Sequence, residues 1–172
     1  MQFDPRQPAK PPPLQPTGFF TGVQIRPVII GVVVDYVGTY VIMYAYFFFY
    51  LANELSKRGE LSNEAITDYM MTTEGLLIGF AIGTLGTVIG GFVAARKAGN
   101  FEIKHGAFVG LGSLIVSFIE ELLRQEYMPL PEWFRFLSVV AIIPAGALGG
   151  YVAGLFKGVG GTGPSSGKSP GS

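Results

Sequence analysis

The chain has 172 residues, of which 49% are hydrophobic and 14% are charged, and its formal net charge is zero. Average soluble domains have about 25% charged residues and about 7% glycine, so this composition, with 25 glycines, argues against a soluble enzyme. Since the sequence has no cysteine, it forms neither disulfides nor thiolate metal sites. Zero net charge also argues against the basic surface of a nucleic-acid partner.

The first 26 residues are rich in proline, which favours an extended chain over a helix. No small-residue cleavage site follows a short apolar core, as it would in a signal peptide. We therefore predict that residues 1–26 form a Pro-rich cytoplasmic tail, and that the apolar segment after them is an uncleaved membrane anchor.

Four apolar segments follow, and each predicts one membrane span. A spanning helix needs about 20 apolar residues, because about 30 Å of hydrocarbon is crossed at about 1.5 Å per residue. The third segment reaches this length only if its helix continues through Glu120 and Glu121. The predicted spans cover residues 27–52, 75–95, 106–123 and 136–156.

The segments around these spans complete the predicted architecture. Apolar residues recur at helical spacing in the first connection, which predicts an amphipathic helix at about 62–72 on the outer membrane surface. Residues 158–172 are mainly glycine, serine and proline, so we predict a disordered cytoplasmic tail. The expected fold is all-α, an integral membrane four-helix bundle over residues 27–157 with disordered N- and C-terminal tails.

The distribution of lysine and arginine predicts the orientation of the bundle. Eight of these residues lie in the N-terminal tail, the second connection and the C-terminal tail, and four lie in the first and third connections. Because basic residues concentrate on cytoplasmic connections, we predict a multi-pass protein with both termini in the cytoplasm and the lipid bilayer around it.

Glycine recurs every three or four residues in the second and fourth spans. Small residues at this spacing form a flat stripe along one helix face, where a second backbone can pack closely. We interpret the stripes as packing faces within the bundle; a homo-oligomer or a membrane-protein partner is the alternative. The predicted packing residues are Gly79, Gly83, Gly86, Gly90, Gly146, Gly150 and Gly154.

Asp35 is the one charged residue in the first span. An unpaired carboxylate in mid-membrane costs at least about 2.5 to 3.5 kcal/mol, so this side chain must be neutral, paired, hydrated or functional. Thr39 lies one turn further on the same face, and Tyr36, Tyr40 and Tyr44 form a neighbouring stripe. This group suits a proton carrier, or a site for a small cation or an aromatic cation. The alternative is a structural carboxyl that bridges two helices.

Two further titratable residues have alternative interpretations. Glu120 either pairs with Arg124, which follows four residues later, or faces the bundle interior and extends a polar path towards Asp35. His105 is the only histidine and follows Lys104. Because a lone histidine cannot build a metal site, we predict that it is an anchor at the membrane interface.

Short sequence motifs resemble those of a known group of proteins. The residues are Arg26–Asp35, Gly90–Arg96, His105–Ala107, Pro131–Phe134 and Ile143–Gly146. Together they resemble small four-span, Gly-rich bacterial inner-membrane proteins of unknown function. The resemblance implies a bacterial inner-membrane location and four spans, and it implies no chemistry.

These observations give two expectations for function. The sequence has no Gly-rich phosphate loop, no paired-histidine metal spacing and no Gly-x-Ser-x-Gly elbow, so we expect no enzymatic activity, no cofactor and no metal. The first expectation is an accessory or structural membrane subunit that packs through its glycine faces. The alternative is a small oligomeric transporter, proton-coupled or ion-conducting, that uses Asp35.

Overall fold

The computed structural model describes Gly18 and residues 20–123 and 130–160 of the chain. Over these residues the protein is helical and has no strand, which confirms the predicted all-α fold class. The elements are α1 (Ile25–Tyr46), a π-helical turn (Phe47–Leu51), α2 (Ala52–Lys57), α3 (Asn63–Met71), α4 (Thr73–Ala98), α5 (Glu102–Leu123) and α6 (Glu132–Gly160).

Four helical segments are long and apolar enough to cross a membrane. The first joins α1, the π-helical turn and α2 without a break, and α5 continues past Glu120 and Glu121 to Leu123. At about 1.5 Å per residue, the 22 residues of α5 extend about 33 Å, enough for the hydrocarbon core. The four segments are Ile25–Lys57, Thr73–Ala98, Glu102–Leu123 and Glu132–Lys157.

The short helix α3 occupies the predicted position of the outer-surface helix, one residue shorter at each end than the predicted 62–72. It begins where the Ser62 hydroxyl accepts a hydrogen bond from the Ala65 N–H (3.1 Å), which stabilises a helix N-terminus. The Tyr69 hydroxyl lies 2.7 Å from that of Tyr46. This hydrogen bond holds α3 against the first spanning segment.

The bundle has two different ends. At one end, called the hairpin end, residues 99–101 connect α4 to α5, and Gly99 closes α4 with a φ of 68°. This left-handed conformation favours glycine, which has no Cβ. The opposite end, called the α3 end, carries α3 and the start of α6. Most of the two predicted tails lies outside the described residues, namely residues 1–17, 19 and 161–172. Helix α6 runs through Gly160.

Glycine backbones pack in direct contact in the half of the bundle nearest the hairpin end, called the hairpin half. A Cβ added to Gly106 of α5 would lie 2.8 Å from the backbone nitrogen of Gly150 in α6. A Cβ added to Gly90 of α4 would lie 2.9 Å from the Cβ of Asp35. Among the predicted packing residues, Gly86, Gly90, Gly146 and Gly150 have such contacts. In this half, an added Cβ would also meet a backbone atom within 3 Å at Gly31, Gly91, Gly106, Gly110 and Gly149, and at the α3 end Gly75 meets the backbone of α3 in the same way.

Gly79, Gly83 and Gly154 make no close backbone contact with another described helix of this chain, so only their alternative role, packing against a copy or partner, stays a prediction. A Cβ added to Gly83 would have no atom within 4 Å, and the nearest atoms for Gly79 and Gly154 lie at 4.0 Å and 3.9 Å. Four-residue spacing places a glycine on a helix face but does not bring a second helix to that face. Gly79 and Gly83 face a cavity instead.

His105 is fully buried, so the prediction that it is an interfacial anchor is wrong. Its Nε2 accepts a hydrogen bond from the backbone N–H of Gln24 (2.9 Å), and its Nδ1 lies 3.1 Å from the carbonyl oxygen of Phe101. A backbone N–H can only donate, so Nε2 has no proton and Nδ1 donates to the carbonyl. The imidazole therefore joins the start of α1 to the start of α5.

Lys157 makes a second connection at the hairpin end. Its ammonium donates to the carboxylate of Glu102 (2.9 Å) and also to the carbonyl oxygen of Gly99. This side chain therefore links the last turns of α6 to the connection between α4 and α5. Together with His105, it closes the hairpin end of the bundle.

Candidate functional site

Asp35 lies inside the bundle, with 4% of its surface exposed, and hydroxyl groups from three helices donate to it. Its Oδ2 accepts from Ser113 of α5 (2.5 Å) and from Thr87 of α4 (3.0 Å). Its Oδ1 accepts from Thr39, one turn further along α1 (3.3 Å). No ion pair within the described part of the chain includes Asp35. Neutral donors alone therefore stabilise the carboxyl group.

The position of Asp35 along the helices corresponds to the middle of a bilayer. Asp35 lies ten residues after the start of α1, and Ser113 lies eleven residues after the start of α5. At about 1.5 Å per residue these distances are about 15 Å and 16 Å, half of a hydrocarbon core about 30 Å thick. An ionisable group at this depth is, by default, a candidate functional group.

Two glycines of α4 leave the space in which Asp35 sits. A Cβ added to Gly86 would lie 2.8 Å from Oδ1 of Asp35 and still closer to the Thr39 hydroxyl. A Cβ at Gly90 would press on the Cβ of Asp35. Any larger residue at either position would displace the carboxyl group, so these glycines determine the geometry of the site.

Asp35 forms the closed end of a cavity of about 300 Å³ between the four spanning segments. The cavity extends from Asp35 towards the α3 end, and Glu120 lies seven residues, about 10 Å, beyond Ser113 in that direction. The lining residues are Asp35, Tyr36, Thr39, Tyr40, Gly79, Phe80, Gly83, Thr84, Thr87, Ser113, Ser117, Glu120, Phe134, Ser138 and Ile142.

Helical periodicity explains how each helix presents polar groups to this cavity. On α5, Ser113, Ser117 and Glu120 follow one another at intervals of four and three residues, which places them on one face. On α6, Phe134 and Ser138 share a face in the same way. Helical spacing therefore brings these side chains to one cavity.

The charges of the cavity are of one sign. Asp35 and Glu120 are its carboxyl groups, and no lysine, arginine or histidine in the part of the chain that the structure describes lines it. A cleft lined by one sign of charge raises the local concentration of ions of the opposite sign. When its carboxyl groups are ionised, this cavity therefore attracts cations and repels anions.

Thr87 can form a hydrogen bond with Asp35 whether the carboxyl group is ionised or protonated. Its hydroxyl lies 3.0 Å from Oδ2 of Asp35 and 3.1 Å from the carbonyl oxygen of Gly83, but it has one proton to donate. With Asp35 ionised, Thr87 donates to the carboxylate. With Asp35 protonated on Oδ2, the carboxyl group can donate to Thr87, and Thr87 turns its proton to Gly83. Rotation of one hydroxyl therefore accommodates the gain or loss of a proton.

All five residues of the predicted polar site line the cavity: Asp35, Tyr36, Thr39, Tyr40 and Glu120. The Tyr36 hydroxyl lies 3.2 Å from that of Ser117, which continues the polar path from Asp35 towards Glu120. Tyr44, the third tyrosine of the stripe, is 61% exposed and does not line the cavity. The alternative partner of Glu120, Arg124, lies outside the described residues.

Sequence reasoning missed two donors to Asp35, namely Thr87 and Ser113. Both are hydroxyl residues near the middle of apolar helices, and only this feature of the sequence could have indicated that they donate to Asp35. The signal is weak because serine and threonine in a helix can also donate to their own backbone four residues earlier. It also missed the ion pair between Glu121 and Arg135, which joins α5 to α6.

The chain matches no protein-family model, no curated protein and no solved structure. The resemblance to small bacterial inner-membrane proteins therefore stays a prediction. Within the described residues, no group of three or more histidine, aspartate or glutamate side chains could hold a metal ion. The fold and site define a helical protein with four segments able to span a membrane and a buried carboxyl group at the base of a cavity that hydroxyl and aromatic side chains line.

Proposed function

We propose that the protein is a small proton-coupled transporter in which Asp35 carries the proton. The observation that supports this most directly is the position of Asp35 at the closed end of a cavity, with three hydroxyl donors from three helices. A purely structural carboxyl would need no cavity beside it. Carboxyl groups in comparable intramembrane positions are typical of proton relays in pumps and transporters.

Coupling arises because a proton and a cationic solute compete for the same charge. An ionised Asp35 in surroundings of low dielectric attracts a cation strongly, whereas a protonated Asp35 presents no charge. Thr87 can change its hydrogen-bond acceptor between these states without backbone movement. Binding of the solute therefore favours release of the proton, and uptake of a proton favours release of the solute.

Transport also requires that the site open alternately to both sides of the membrane. The cavity extends towards the α3 end. At the hairpin end, the close glycine contacts and the hydrogen bonds of His105 and Lys157 hold the helices together. We place the termini in the cytoplasm of a bacterial cell, so that the cavity faces the outside of the inner membrane. Opening to the cytoplasm then requires separation of helices at the hairpin end.

The accessory-subunit function is the second candidate, and the contacts of its proposed glycine faces weaken the support for it. Helices of this chain already contact Gly86, Gly90, Gly146 and Gly150 closely, so these four glycines are not free to receive a partner. A four-span chain is nevertheless small for a transporter, and we propose that it acts as a homo-oligomer. Native mass spectrometry from mild detergent tests this, because a stable complex with other proteins would favour the accessory function.

Proton movement in proteoliposomes tests the main proposal. Vesicles with an acidic interior, loaded with a pH-sensitive dye, are exposed in turn to sodium, potassium, choline and benzyltrimethylammonium chlorides. We expect at least one cation to drive proton efflux through the wild-type protein, and Asp35→Asn to abolish that efflux. Asn keeps the shape of the side chain and an oxygen that accepts hydrogen bonds, so the fold is expected to persist.

A matched control is available one residue from the cavity. Glu121→Gln removes a carboxylate that pairs with Arg135 and does not line the cavity, so we expect normal efflux. Wild-type efflux no faster than that of empty vesicles with every cation would contradict the proposal, as would full efflux through Asp35→Asn.

A further inference from the structure

We propose that the ligand of the cavity is an organic monocation with an ammonium group and a flat apolar body. This inference rests on the proposed function, because it names the class of solute that the Asp35 cavity takes. Two observations support it: aromatic side chains form part of the cavity wall, and two carboxyl groups lie at different depths.

When ionised, the two carboxyl groups of the cavity favour a positive ligand. Asp35 lies at the closed end and Glu120 about 10 Å nearer the α3 end, and no basic side chain among the described residues lines the cavity beside them. A neutral ligand would leave ionised carboxylates without a counter-charge in surroundings of low dielectric, and an anion would be repelled.

The walls favour an organic cation over a metal ion. Tyr36 and Tyr40 lie with their ring centroids 6.5 Å apart and tilted by 47°, and Phe80 and Phe134 contribute two further rings. Aromatic faces attract ammonium groups and pack against flat apolar groups. Hard cations such as Mg²⁺ and Ca²⁺ prefer six or more oxygen ligands, whereas hydroxyl donors already occupy the Asp35 oxygens.

The volume of the cavity agrees with a small organic ligand. At about 300 Å³ it is at the lower limit of typical ligand pockets, which hold about 300 to 1,000 Å³. A dehydrated alkali ion would leave most of this space empty. The hydroxyl groups of Thr84 and Ser138 also line the cavity and can orient water or polar groups of the ligand.

Binding of benzyltrimethylammonium to the purified protein in detergent tests this inference. The probe has a permanent charge and one aromatic ring, and it cannot exchange a proton. Trp133, the only tryptophan, lies beside Phe134 with ring centroids 5.7 Å apart, so its fluorescence can report binding. Calorimetry supplies an independent affinity.

We expect saturable binding that sodium does not displace. Asp35→Asn is expected to weaken it about tenfold or more, the effect of losing one close charge in a low dielectric. Glu120→Gln, which leaves the buried hydrogen bonds intact, is expected to weaken it less. Tyr40→Leu removes one aromatic face and is expected to weaken binding about two- to fivefold. Tyr44→Leu is the matched control one turn further, outside the cavity, and should bind as the wild type does.

Three results would overturn the inference. Displacement of the probe by sodium would make the ligand an inorganic cation, and equal binding by wild type, Asp35→Asn and Tyr40→Leu would place the probe elsewhere. Absence of binding, in a protein whose Asp35-dependent proton efflux is intact with another cation, would reject the organic ligand and leave the proton-coupled function standing. Binding without any efflux would reject the transport function instead.

Discussion

In the hairpin half of the bundle, a Cβ added to Gly106 would lie 2.8 Å from a backbone atom of α6, whereas one added to Gly83 would have no atom within 4 Å. Both glycines lie in apolar spanning helices at similar sequence spacing. The first allows two backbones to touch, and the second leaves a cavity open beside Asp35. The same residue type therefore closes one half of the bundle and opens the other, which we call the cavity half.

Dispersion contacts explain why the two halves differ. Apolar groups gain little hydrophobic energy by contact with one another in a membrane, because lipid is equally apolar, so close backbone contact drives helix packing. The hairpin half has this contact between α5 and α6 and between α1 and α4. In the cavity half, hydroxyl and carboxyl groups take the place of this close backbone contact. Such groups lower the stability of a membrane protein.

The largest effect on stability is expected from a methyl group in the hairpin half. We expect Gly106→Ala to lower the free energy of unfolding by about 1 to 3 kcal/mol, because the backbones of α5 and α6 must separate. Gly83→Ala should be neutral or slightly stabilising, since alanine favours the helix by up to about 1 kcal/mol. Unfolding in mixed micelles of rising denaturing-detergent fraction measures both. Equal destabilisation by the two variants would contradict the comparison.

The next effect concerns the hydrogen bonds of the site. Thr87→Val keeps the shape of the side chain and removes one of the three donors to Asp35, so we expect a loss of about 1 kcal/mol of stability. We also expect slower proton efflux in proteoliposomes, because the hydroxyl that adapts to the protonation of Asp35 is absent. Thr84→Val is the control, since Thr84 lines the cavity without donating to Asp35. Identical efflux from both variants would remove Thr87 from the mechanism.

A third variant separates the geometry of the site from stability. Gly86→Ala places a methyl group against Asp35 and Thr39, and Gly79→Ala places one 4.0 Å from its nearest neighbour. We expect the first to reduce proton efflux several-fold while the second leaves it unchanged, with both proteins folded by circular dichroism. Normal efflux from Gly86→Ala would show that proton transport does not depend on the position of the Asp35 carboxyl group.

The smallest effect is expected at the hairpin end. The Lys157 side chain that pairs with Glu102 is 60% exposed, and exposed ion pairs contribute at most about 1 kcal/mol. We expect Lys157→Gln to change thermal stability in detergent by less than that amount, and the difference to shrink in high salt. A loss larger than that of Gly106→Ala would mean that this side chain, rather than glycine contact, closes the hairpin end.

The helices could be predicted from the sequence because apolar length alone identifies a segment that spans a membrane. Asp35 could be predicted because it interrupts such a segment with a charge. Thr87 and Ser113 could not, since only the packing of α4 and α5 against α1 shows whether a hydroxyl faces a carboxyl group or its own backbone. The burial of His105 could not be predicted either, because the imidazole packs inside the bundle and its Nε2 pairs with the backbone N–H of Gln24, 81 residues away in sequence.

Water access to Ser117 tests the cavity most directly. The chain has no cysteine, so single cysteines can be introduced into the protein as it exists. Ser117 lines the cavity, whereas Ile115 of the same helix is 53% exposed on the outside of the bundle and contacts lipid in our account. Maleimides react with thiolates in water. In proteoliposomes we predict rapid labelling of Ser117→Cys by a small charged maleimide and almost none of Ile115→Cys; equally slow labelling of both would contradict a water-filled path to Asp35.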